Sequence, residues 1–127
     1  MKRVVERYEA QSRHYLDNAA ASIRKGDIGK ASEFLWGSMA EAVKAVAASK
    51  GITFYSHRRL KEYASELARE LQDKSIFDTF AHANSLHSNF YECELELRDV
   101  LRVAEEVRST VGKLLRLIPE RESTSEE

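Results

Sequence analysis

The residues best suited to chemistry lie in one run, His82-Ala83-Asn84-Ser85-Leu86-His87-Ser88-Asn89-Phe90-Tyr91-Glu92. Imidazoles exchange protons near neutral pH, and amides with a phenol can hydrogen-bond phosphates or base edges. The run therefore offers a nucleotide or RNA site, with His82, His87, Asn89 and Tyr91 as its ligand-binding candidates. The competing expectation is that Phe90 and Tyr91 plug a core while the polar groups satisfy a helix end. A second cluster, His57-Arg58-Arg59 with Lys61, puts His57 and Arg58 where phosphates could be met, although a solvated basic turn has the same composition.

Other chemistries find less support. Asp78 and His82 stand one helical turn apart with His87 beyond them, but that spacing is also an ordinary solvated pair, so no metal is expected. Cys93 near His87 resembles a nucleophile and its base, yet a single cysteine is more often a small buried hydrophobe. The five glycines form neither G-x-G-x-x-G nor G-x-x-x-x-G-K-[ST], which excludes the usual phosphate loops. The residues three before His14, His57, His82 and His87 are Gln11, Phe54, Thr79 and Asn84, so the Glu-x-x-His pairs of di-iron bundles are missing. No cofactor is expected.

The elements that must position these groups read as helices. Val5, Tyr8, Tyr15, Leu16, Ala19 and Ile23 recur at helical spacing, with Ser12 as a polar gap and Gly26 as a C-cap. Asp27 caps a second helix in which Leu35, Met39, Ala42, Val43 and Val46 form a stripe widened by Trp36, Ala40 and Ala47, the pattern of a central helix ending at Gly51. Ile52-Thr53-Phe54-Tyr55 reads as a packed loop. Ser56 caps a third helix through Leu60, Tyr63, Ala64, Leu67, Ala68 and Leu71, and Ser75 with Asp78 suggests a capping box for a fourth through Ile76, Phe77, Phe80, Ala83 and Leu86, with Phe90 as a further position. A fifth, from about Glu94 to Leu117, is expected to bury Leu97, Val100, Leu101, Ala104, Val107, Val111, Leu114 and Leu115.

The short links predict an all-α, antiparallel up-and-down bundle of about five helices: one domain over residues 1–118 with a disordered acidic tail at 119–127. With 127 residues, 43% of them apolar, such a core needs no disulfide, and the one cysteine fits a reducing compartment. A net charge of −1 gives no bulk attraction to nucleic acid or anionic membrane, and no apolar run approaches the ~20 residues of a membrane span, so a cytoplasmic location is expected.

The Lys30-to-Lys44 helix, His57 opening the third helix, and the Leu86-His87-Ser88-Asn89-Phe90-Tyr91-Glu92 string resemble the HEPN superfamily, and more narrowly its archaeal PaREP-type branch, over roughly residues 5–117. Catalytic HEPN proteins are metal-independent ribonucleases that pair an Arg and a His from two copies. If His87 matches that His, the Arg should fall at Phe80, Ala81 or His82, and none is Arg. Arg7 and His14 have the spacing but lie on the first helix. The resemblance thus implies a non-catalytic binding module engaging a nucleotide, an RNA or a protein such as a nucleotidyltransferase partner in a toxin–antitoxin-like setting. The wide apolar second helix with the aromatic-rich fourth offers more surface than one small bundle buries, which suggests a homodimer. Two rivals stand beside it. One is a ribonuclease in which His82 and His87 act as acid and base with Arg58 across a dimer. The other is a tetratricopeptide-like adaptor with an exposed groove between the first two helices.

Overall fold

The computed structural model describes residues 2–88 and 96–119. They form five helices: α1 (Lys2–Arg24), α2 (Ile28–Ser49), α3 (His57–Glu70), α4 (Lys74–Ser88) and α5 (Leu97–Arg116). No strand occurs among the described residues. The expected acidic tail from 120 onward lies outside them, as do Asn89, Phe90, Tyr91, Cys93 and Glu94.

Glycine ends the first two helices as expected. Gly26 and Gly51 both take φ +79°, the left-handed conformation that lets the following amide turn back onto the helix. Asp27 N–H donates to the Ser22 carbonyl at 2.9 Å, and Ile52 N–H to that of Ala47 at 2.9 Å. Asp27 then caps α2 by accepting from Lys30 N–H at 3.1 Å, and Ser56 caps α3 by accepting from Arg59 N–H at 3.2 Å.

α4 starts differently from its sequence reading. Gln72, with φ 52°, makes the left-handed turn after α3 without glycine, and Asp73 rather than Ser75 caps α4. The Asp73 carboxylate accepts from Ser75 N–H at 3.1 Å and from its hydroxyl at 2.6 Å. At the head of α5, Glu96 N–H donates to the Asp99 carboxylate at 3.0 Å.

The breadth of α2 is explained by its neighbours. It packs against each of the other four helices, with twelve of its residues buried. Most of its apolar width is thereby taken up within one chain, with Phe34 and Trp36 left half-buried along one side. Against α1 the approach is close because the facing residues are small. Ser12 Oγ donates to the Ser38 carbonyl at 2.8 Å, and Ser38 Oγ to the Ser12 carbonyl at 2.9 Å, so the polar gap of α1 becomes a reciprocal, fully buried clasp. Between α4 and α5 the hydroxyls of Thr79 and Thr110 meet at 3.0 Å.

Three expectations of burial fail. Leu71, at the C-cap of α3, is 42% exposed. Leu97 and Leu101 are 45% and 44% exposed, and Val103 takes the buried place, because α5 turns a narrower face to α2 and α4 than its apolar count suggests. The 52–55 connector is not packed: Phe54 alone is half-buried, against the Tyr63 ring at 5.3 Å, while Tyr55 is 94% exposed.

Candidate functional site

The antiparallel α1–α2 pair leaves one side of α2 uncovered between α1 and the connector leading into α3. Gly37 and Ala40 supply little bulk there, and a cleft of about 580 Å³ opens over them. Tyr15 of α1 closes one side so tightly that a Cβ on Gly37 would stand 2.8 Å from its ring. Phe54, Tyr55 and His57 line the other, with Phe34 and Trp36 from α2 itself. From Glu33 to Lys44 the lining extends about 16 Å along the helix axis.

Apart from the exposed Tyr55, the rings are held by neighbouring rings. Tyr15 and Phe34 lie with centroids 5.9 Å apart. Trp36 meets the Phe80 ring edge-on at 5.1 Å and the His57 imidazole at 5.2 Å. Such contacts hold aromatic faces in place with little entropy left to lose on binding. The ionisable groups of the cleft are Glu33, Glu41, Lys44 and His57. Lys44 Nζ is 3.2 Å from the Glu41 carboxylate, whose side chain is only 17% exposed, and 6.0 Å from the centroid of the Tyr8 ring. Glu33 is exposed and makes no ion pair among the described residues.

The residues singled out from sequence fall in separate places. His57 joins the cleft. Arg58 does not: its side chain is 81% exposed and reaches Glu62 at 3.7 Å, as Arg59 does, so the pair is a solvated basic turn. His82 faces α5, with Nδ1 2.7 Å from the Glu106 carboxylate. His87, half-buried in the last turn of α4, is five residues on, about 140° around the helix, so the two imidazoles do not share a face. Asn89 and Tyr91 lie outside the described residues. His82 is thus engaged by Glu106 rather than Asp78, and no cluster of three metal-ligating side chains occurs among the described residues. His14 is held by Asn18 at 3.2 Å on α1.

The cleft residues Tyr15, Phe34, Trp36, Tyr55, Glu33, Glu41 and Lys44 were missed as a site. In sequence they are spread over three elements, and each looks like a member of its own helix or loop. The legible signal was Trp36, set off the centre of the α2 stripe, with Glu33 three residues before it and Glu41 five after.

Fold and cleft together define a small all-helical bundle with an open aromatic groove. The chain belongs to the Archaeal PaREP1/PaREP8 family, whose model matches residues 7–111. The crystal structure of a Sulfolobus solfataricus protein is similar in fold, with a TM-score of 0.75 and 20% identity over 86% of this chain and 97% of that one. No curated protein matches the chain. No helix among the described residues is long and apolar enough to cross a membrane.

Proposed function

We propose that the chain is a non-catalytic, HEPN-like binding module that engages a protein partner through the aromatic groove. The observation that carries this is the gathering of Tyr15, Phe34, Trp36, Phe54, Tyr55 and His57 along one open cleft. Tyrosine and tryptophan are the side chains that most often anchor protein contacts, since they offer large rigid faces with a polar tip. A nucleotide or RNA fits less well, because Arg58 and Arg59 turn to Glu62 and the only ammonium in the cleft is already engaged by Glu41. A nucleotidyltransferase-type protein is the partner that the HEPN resemblance implies.

α1, α3, α4 and α5 cover most of α2, so a second copy would meet its half-buried side at Phe34 and Trp36 rather than its whole breadth. The ribonuclease reading is weakened by the separation of His82 from His87. It is tested by incubating metal-free protein and His87→Ala with a mixed RNA pool, with light scattering on both to give the mass in solution. The expected result is no cleavage by either. Cleavage by the natural chain that disappears in a well-folded His87→Ala protein would replace the binding module with a nuclease.

A further inference from the structure

The charges inside the groove indicate what kind of group it takes. Two carboxylates, Glu33 and Glu41, share the lining with one lysine, so the fixed charge is negative by one. The N-terminus of α3, which enters the lining at Ser56 and His57, adds only about half a positive charge and does not reverse the sign. Aromatic faces add to the same preference, because the ring quadrupole attracts a cation placed over it.

Lys44 already shows this chemistry within the chain. Its ammonium sits between the largely buried Glu41 carboxylate and the face of Tyr8, while Glu33, some 16 Å away along α2, makes no ion pair among the described residues. Resting on the binding-module reading above, we propose that the groove receives a basic side chain, lysine or arginine, projecting from the partner polypeptide, with its charge directed to Glu33 and its methylenes against the aromatic rings. A polypeptide source follows from the shape. The exposed rim at Tyr55, Ser56 and His57 leaves the cleft too open to enclose a free small cation, whereas a side chain is held there by the rest of its own chain.

Trp36 is the only tryptophan and lines the groove, so its emission reports occupancy in the full chain. The probes are nine-residue peptides, otherwise uncharged, with Lys, Arg, Met or Glu at the centre, together with spermidine and AMP. The Lys or Arg peptide is expected to shift the emission with at least tenfold tighter binding than the Met peptide, and to weaken as salt rises. Glu33→Gln should weaken it about fivefold at unchanged helix content. Lys44→Met, by removing the internal competitor for Glu41, should tighten it severalfold, a gain that a purely structural role for these residues would not produce.

Equal binding of the Met and Lys peptides would overturn the choice of a cation while leaving the binding module in place. Spermidine binding as tightly as the peptides would overturn the polypeptide source. Preferential binding of AMP or the Glu peptide would overturn the sign of the charge argument. Silence of Trp36 toward every probe at millimolar concentration would remove this proposal and the groove-binding reading together.

Discussion

Tyr63 is 8% exposed, and its hydroxyl has no hydrogen-bond partner among the described residues. A buried polar atom without a partner loses its hydration and gains nothing in return. Tyr63→Phe keeps the ring against Phe54 and removes the orphaned group, so it is expected to raise stability by about 1 kcal/mol, or several degrees in the melting temperature. Burial, with added repulsion from Glu70 and Glu66, also pushes the Tyr63 phenol above its ordinary value. The unfolded chain then releases this proton first, so stability present below the unfolded value is lost as pH rises above about 10. Tyr63→Phe should show a shallower alkaline loss in urea titrations at pH 9 to 11, and an unchanged slope there would contradict this account.

At the level of elements, the clasp between α1 and α2 and the tie between α4 and α5 carry separate expectations. Ser12 and Ser38 are both fully buried where two helices approach closely. Ser12→Ala loses one modest hydrogen bond and should cost about 1 kcal/mol, whereas Ser12→Val must push the helices apart and should cost about 2–3 kcal/mol. Chemical denaturation that ranks Val no worse than Ala would show that hydrogen bonding, not spacing, governs this contact.

Asp73 and Lys113 join the start of α4 to α5 at 2.7 Å, and Ser75 completes the set by accepting from Lys113 at 2.8 Å. The hydrogen bond from Lys113, then that from Ser75, holds the Asp73 carboxyl below its ordinary value. A depressed carboxyl contributes stability above its unfolded pKa, and this is lost as pH falls through the lower folded value. Both side chains are about one-third exposed, so solvent screening limits the gain to about 1 kcal/mol or less. Lys113→Met should therefore be less stable than the natural chain at pH 7 and converge with it below about pH 3. A gap that persists in acid would assign the effect to packing instead of charge.

Across the whole molecule, helix existence was legible and the site was not. The apolar stripe predicted for α3 shows why the first succeeded. Leu60, Tyr63, Ala64, Leu67 and Ala68 are buried, since a helix with one apolar stripe has a single way to bury it, and Leu71, just past the last helical residue, is exposed. Leu97 and Leu101 show where the reading failed. They extend the apolar pattern of α5, but how wide a face is covered depends on how many neighbours arrive, and at that end the neighbours leave them exposed. The start of α4 failed for a related reason: Ser75 has a capping residue's character, yet Asp73 is fastened by Lys113, forty residues away.

Periodicity, capping residues and two left-handed glycines, properties of neighbours along the chain, were enough to determine five helices, most of their ends and the central role of α2. Which polar groups meet is a property of distance in space. His57 and Arg58 are adjacent in sequence, yet one turns into the groove and the other to Glu62, because successive side chains on a helix point about 100° apart. His82 found Glu106, and Tyr15 found Gly37, only when α5 and α1 were packed against their neighbours. The aromatic groove exists for the same reason: its rings come from α1, α2, the connector and α3, and only the packing of those elements brings them onto one surface.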